Sequence, residues 1–349
     1  MNTLAGGVRV AVGDPSDDAT FTLTEDATDD RRAITVESVP DALAELSARC
    51  ERWPQTAAVC DDVLRAVDPA ASTFPGIVTE SLAYSTLQSG AEFARWLAER
   101  GPAVVPQIAD PVVAERDNDR LTVRFNRPGR HNAFSTDARA ALLEALEVAR
   151  LDPSVTEMVL TGNGPSFCSG GDLAEFGTFA DPASAHIART RHSPALVLDE
   201  ITARLGRACR AEIHGQVQGS GLEMAAFCGW IACHPDAVLG LPELALGLIP
   251  GLGCVNSAGV VTASQATSLL TGGLLKQIPY SSVYGNGGEF ETISLFADVS
   301  YDVADWLELI RTRVRILADL SPLQMREFML DSEARFFRAG EVIFERNAP

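Results

Sequence analysis

The sequence predicts an α/β fold, with an added N-terminal mainly helical segment and a C-terminal helical part. Three observations predict it. Two strand-like runs, Glu157 to Gly162 and Ala211 to His214, each lead into a glycine-rich turn and a helix-like run. Before residue 100, apolar residues recur at helical spacing, at Leu43, Leu46, Cys50 and Trp53 and again at Phe93, Trp96 and Leu97. The same period returns near the end, at Val303, Trp306, Leu307, Ile310, Val314 and Leu317.

Taken in order, residues 1–40 are acidic and carry short β-patterned runs at Val8–Val12, Thr20–Leu23 and Ala33–Val36. A first helix follows from Pro40 and is ended by Pro54. Val59, Val63, Leu64 and Val67 predict a second helix, and Thr79 to Glu99 a single third one. Pro102, Pro106 and Pro111 mark a linker, so residues 1–111 are expected to form an arm plus a helical domain that folds separately. The core is assigned to 112–270. It opens with a strand at Arg120–Phe125 and an amphipathic helix at Asp137–Arg150, and Val197 to Leu205 is expected to be helical. Residues 271–349 form an atypical C-terminal helical region.

The chain has 349 residues and a formal charge of −19, which argues against nucleic acid and anionic membrane as partners. A phosphate-bearing ligand would therefore need a local cluster of arginines. The seven cysteines are odd in number and form no C-x-x-C, which reads as buried thiols of a reducing compartment. No basic-then-apolar leader and no apolar run of membrane-spanning length occurs, so a cytoplasmic protein is expected. The histidines lack partners at metal-ligand spacing, and no metal is expected.

The chemistry concentrates between Ser166 and Gly253. Gly219-Ser-Gly221 lets the backbone turn sharply and approach a ligand closely. Asn163 to Leu173 is a second glycine-rich turn, expected to open a helix with Asp172 at its start. Two such units can aim two backbone N–H groups at one point, as an oxyanion hole requires. Glu223 and Glu243 stand in apolar surroundings, where a charge is costly unless it has a task. Helix-start electrostatics would explain either one alone.

Four stretches occur together: Arg127-Pro-Gly-Arg-His-Asn-Ala-Phe134, Ser166-Phe-Cys-Ser-Gly-Gly-Asp-Leu173, His214-Gly…Gly219-Ser-Gly-Leu-Glu223 and Pro242-Glu-Leu…Gly247-Leu-Ile-Pro-Gly251. In order and spacing they resemble the crotonase (enoyl-CoA hydratase/isomerase) superfamily. The resemblance holds from about 115 to 253, is absent before 112 and is faint beyond 254. It implies a crotonase-like ββα spiral core and a soluble enzyme acting on an acyl-CoA thioester. The amides of Gly171 and Ser220 would form the oxyanion hole, although Ser220 falls where the family usually has Gly or Ala. Glu223 and Glu243 match the two catalytic carboxylates of the hydratases, so addition of water to an enoyl-CoA is the implied reaction. Arg130, His131, Ala133, Ser169, Gly170, Gly171, Asp172, Leu173 and Gly219 match positions that contact the CoA-bearing substrate. No cofactor is implied beyond the coenzyme A that the substrate carries, and a homo-oligomer, trimer or hexamer, is. The alternatives are isomerisation, cofactor-free dioxygenation of an arylacetyl-CoA, and a non-catalytic assembly subunit. The altered sequence after Gly253 motivates the last of these.

Overall fold

The computed structural model describes residues 1–251 except 17, 27–32, 67–71 and 235–236. The expectations for the C-terminal helices and for everything beyond Gly251 lie outside the described residues. Four short strands come first: β1 (Asn2–Thr3), β2 (Arg9–Val12), β3 (Phe21–Thr24) and β4 (Ala33–Thr35). They form one sheet in sequence order, with β1 antiparallel to β2 and the others parallel. Val8, Val10, Phe21 and Leu23 bury the apolar side of this sheet.

The next four elements are α1 (Val39–Arg52), α2 (Pro54–Ala66), α3 (Thr73–Gln88) and α4 (Ala91–Arg100). Ser38 caps α1 by accepting from the Asp41 amide (3.3 Å), a contact worth about 1 kcal/mol. The single helix expected over 79–99 is two. Gly90 is extended (φ −85°, ψ 161°) and serves as the N-cap of α4, which breaks the run that apolar spacing alone would continue.

The second part is built on a five-stranded sheet, ordered β10-β8-β7-β6-β5. Its strands are β5 (Val112–Asp117), β6 (Arg120–Phe125), β7 (Glu157–Gly162), β8 (Cys209–Ile213) and β10 (Trp230–Cys233). All neighbours are parallel except the β5–β6 hairpin, which turns through Asn118 at φ +53°. The sequence reading missed β5, whose outer half is exposed and polar. Helices α5 (Thr136–Leu151) and α7 (Pro194–Leu205) bury Leu142, Leu146, Leu198 and Ile201 against it. A smaller parallel pair, β9 (Gln216–Gln218) with β11 (Val238–Gly240), carries the short helix α8 (Ser220–Ala226). The remaining helix, α6 (Pro182–Arg191), is capped by Asp181, whose Oδ1 accepts from the Ser184 amide (2.9 Å). With parallel strands, packed helices and this strand order, the fold is the α/β class expected.

The helix expected to open at Asp172 is not there. Residues 173–177 are turns. Gly177 at φ +81° stops any helical continuation, and Arg100 of α4 draws the carbonyls of Leu173 (2.5 Å) and Phe176 (3.1 Å) outward.

The N-terminal helices have no core of their own. Leu46, Ile77 and Phe93 belong to the same continuous cluster of buried side chains as Leu160, Ile213 and Met224. Independent folding of 1–111, expected from the linker, is not what this packing supports. A chain started at residue 112 is expected to aggregate, because it exposes the apolar faces that α3 and α4 cover. Soluble, cooperatively unfolding protein from such a truncation would show the opposite.

Candidate active site

Two glycine turns meet at the site. After β7 the chain crosses to Cys168, which bridges Val217 of β9: the Cys168 amide donates to Gln216 O (3.1 Å) and Gln218 N donates to Cys168 O (2.9 Å). This lays the turn at Gly170–Gly171 beside the turn at Gly219–Ser220. Gly170 has φ +88°, and a Cβ there would lie 3.1 Å from Gln218 O. Gly219 has φ +46°, and a Cβ there would lie 2.3 Å from Glu243 Oε1 and 3.8 Å from Gly170 Cα. Both the conformation and the close approach therefore require glycine at 219. Gly219→Ala is expected to displace the Glu243 carboxylate and lower turnover by about 10²-fold, with a far smaller change in melting temperature; unchanged turnover would refute this.

The backbone pattern frees the two amides. Phe134 N donates to Gly170 O (2.7 Å) and Asp172 N donates to Phe134 O (2.9 Å). The Gly171 N–H shares a planar trans peptide with the Gly170 carbonyl, which points at Phe134, so the Gly171 amide points the other way. Ser220 is the first residue of α8 and has no intrahelical acceptor for its amide. No acceptor among the described residues takes either amide.

Both turns open on one cavity of about 250 Å³. Gly171, Ser220, Glu223 and Glu243 all line it. Glu223 projects one helical turn beyond Ser220, is 2 % exposed, and accepts at Oε1 from the Gly251 amide (3.0 Å). Glu243 follows Pro242 in a single 3-10 turn, Glu243–Leu246, and also lines the cavity. Burial pushes the Glu243 carboxyl well above the usual range, and the neighbouring Glu223 adds to the push. Glu243 Oε2 and Ser220 Oγ are buried without a hydrogen-bond partner among the described residues. Two neighbouring glutamates and two open amides can together move protons and stabilise charge on one small molecule.

The other sequence-singled residues divide into two groups. Ser169, Gly170, Asp172, Leu173 and Gly219 line the cavity as well, whereas Arg130, His131 and Ala133 do not. Arg127 is 3 % exposed, too buried to meet a phosphate of a ligand. It and Arg130 both pair with Asp172, at 2.8 Å each. Burial raises the Asp172 carboxyl, but hydrogen bonds from Arg127, the Ala174 amide and Arg130 outweigh it and hold the group below its ordinary value. Asp172 thus fixes the loop behind Gly171 instead of starting a helix. His131 and Asn132 are both left-handed (φ +50° and +55°), and Asn132 Nδ2 donates to Ser166 O (2.6 Å) and Asn163 O (3.0 Å), tying this loop to the turn after β7. His131 and Arg130 remain exposed at its surface. Burial pushes the Cys168 thiol up to about 12, so it is a packing residue and no nucleophile.

Among the cavity residues that were not foreseen are Tyr84 of α3, Arg139 of α5 and Arg189 of α6. A signal existed. Ser81, Ser85 and Gln88 recur at helical spacing on α3, and all three bond Arg189.

The fold and the site define an α/β protein whose two strand-linked glycine turns hold a pair of glutamates over one cavity. A sequence model of the enoyl-CoA hydratase/isomerase family matches residues 76–271, and the chain belongs to that family. It is 30 % identical over 158 residues to 2,3-dehydroadipyl-CoA hydratase of Escherichia coli, a match covering 44 % of this chain and 60 % of that protein. It is 27 % identical over 186 residues to crotonyl-CoA hydratase of Syntrophomonas wolfei, covering 53 % and 66 % respectively. The solved enoyl-CoA hydratase of Thermoplasma volcanium is matched at 27 % identity and a TM-score of 0.39, over 47 % of this chain and 65 % of that one. The chain thus spans less than two thirds of the length of these relatives. No helix of the described residues is long and apolar enough to cross a membrane.

Proposed function

We propose that the protein adds water across the α,β-double bond of an enoyl-CoA thioester. The observation that carries this is the convergence of Glu223 and Glu243 on the cavity that the Gly171 and Ser220 turns open into. The thioester oxygen would sit between those two amides, each worth about 3 kcal/mol to the charge that develops there. Glu223 would take a proton from the water attacking Cβ. Glu243, whose carboxyl is pushed upward by burial, would deliver a proton to Cα. One neutral and one ionised carboxyl is the division of labour that acid–base chemistry on a neutral alkene needs. The coenzyme A arrives with the substrate. Residues near His131, which lie beside the turn that leads to Ser169 (Ser169 N to His131 O, 2.9 Å), would meet its pantetheine or nucleotide portion.

The test is the loss of the enoyl-thioester absorbance of crotonyl-CoA on addition of the purified protein. Steady loss, with 3-hydroxybutyryl-CoA as product, supports the assignment. Migration of the double bond in a 3-enoyl thioester without net hydration would assign the site to isomerisation.

A further inference from the structure

The end of the cavity formed by α3, α5 and α6 carries positive charge that no carboxylate of the described residues pairs with. Arg189 is 7 % exposed and directs its donors to neutral oxygens of α3: Nε to Ser81 Oγ (3.0 Å), Nη1 to Gln88 Oε1 (3.2 Å), and Nη2 to Ser85 Oγ (2.5 Å) and Ser81 O (3.3 Å). Its guanidinium also lies over the Tyr84 ring, 4.4 Å from the centroid. Arg139 has a buried Nε with no partner among the described residues, and its guanidinium stands 5.8 Å from the Phe134 ring centre. The two cations act on each other. Burial is the main cause that lowers both, Arg189 to about 10. Glu175 acts on Arg139 through space, but its Oε2 is taken by the amide and hydroxyl of Thr136 (2.8 and 2.9 Å).

A buried and a half-buried guanidinium group without a counter-ion are costly to keep, and such unpaired charge in a cavity points to a ligand that supplies the anion. The charge also has a direction. The Tyr84 phenol feels Arg189 and Arg139 on one hand and Glu243 and Glu223 on the other. Its ring lies under Arg189 and packs closely on Gly251, whose amide bonds Glu223, so it joins the reacting end of the cavity to the cationic end. An acyl chain with its thioester at the glycine turns would run past Tyr84 toward the arginines. A methyl terminus there would leave both cations unpaired, whereas a carboxylate offers guanidinium its matching acceptor geometry.

We propose that Arg139 and Arg189 bind a carboxylate at the far end of the acyl chain, so that the preferred ligand is the mono-thioester of a dicarboxylic acid. This rests on the acyl-CoA reading above. The test therefore uses binding of saturated thioesters, which needs no turnover. Calorimetric titration of the full chain compares succinyl- with butyryl-CoA, glutaryl- with pentanoyl-CoA and adipyl- with hexanoyl-CoA. In at least one pair the dicarboxylate should bind about tenfold tighter or more, the scale of one added charge-assisted hydrogen bond. Arg139→Met and Arg189→Met should each bring that ratio close to one. Arg189 also fastens α6 to α3, so if its variant unfolds, the Arg139 variant decides. Equal binding within every pair in the unaltered protein, or a preference that survives both substitutions, overturns the proposal. Failure to bind any of the thioesters would remove the acyl-CoA reading, and this inference with it.

Discussion

Glu223→Gln and Glu243→Gln are each expected to cut hydration of crotonyl-CoA by at least about 10²-fold, the usual contribution of positioned acid–base catalysis. Thioester affinity should change little, because neither carboxylate is assigned a contact that binds the substrate in its ground state. Near-normal turnover in both variants would remove the hydratase assignment. The two variants should separate in stability. The folded pKa of Glu243 is raised by burial and by Glu223. As pH rises from the ordinary carboxylate value of about 4.3, the unfolded chain releases a proton that the native protein keeps. The native state then binds more protons than the unfolded one, and stability falls with pH until the raised folded value is passed. Glu243→Gln abolishes this slope and is expected to melt above the unaltered protein near neutral pH, with no difference near pH 4. A lower melting temperature for Glu243→Gln at neutral pH would show that the carboxylate is not under strain. This is the common trade between stability and a site built for chemistry.

Asp172→Ala is expected to be the most destabilising single change at the site, by about 3–5 kcal/mol, because it leaves the buried Arg127 without its counter-ion. Arg127 and Asp172 have side-chain exposures of 2 % and 0 %, so water cannot stand in for the missing partner. Urea denaturation measures the loss directly. Replacing both at once, with Arg127→Met and Asp172→Leu, should recover much of it, since no lone charge remains. A loss below about 1 kcal/mol in the single variant would mean that the pair is solvated. The pH signature is opposite in sign to that of Glu243. The folded carboxyl of Asp172 is held below its ordinary value. Its contribution is complete above the unfolded pKa of about 3.9 and is lost as pH falls toward the lower folded one.

Much of the candidate site's local geometry was legible because it lies in short windows. Gly219 and Ser220 stand at the start of the helix that presents Glu223, and Pro242 stands at the start of the turn that presents Glu243, so both can be read from short windows. The strands at 120–125 and 157–162 and the helix from 136 were legible for the same reason: their apolar periods are uninterrupted. What failed depends on distant partners. Asp172 looked like a helix start because Arg100, more than a strand and a helix away in sequence, was not known to hold the carbonyls of Leu173 and Phe176. The break at Gly90 was hidden because apolar positions on both of its sides keep helical phase. Tyr84 and Arg189 were passed over because each is ordinary in its own window. Only the docking of α6 on α3 makes them part of one wall.

That shared wall gives the N-terminal helices a thermodynamic stake in the ligand. Tyr84 and Gln88 reach the cavity from α3, while Glu223 and Glu243 reach it from segments that follow β9 and β11. Any occupant touching both sides acts as a clamp, and the coupling is reciprocal: whatever loosens α3 weakens the occupant's hold by the same free energy that the occupant lends to α3. At a hundred times its dissociation constant, a ligand adds about 2.7 kcal/mol to the docked arrangement. The amides of α3 would then exchange with solvent about a hundredfold more slowly when the cavity is full than when it is empty.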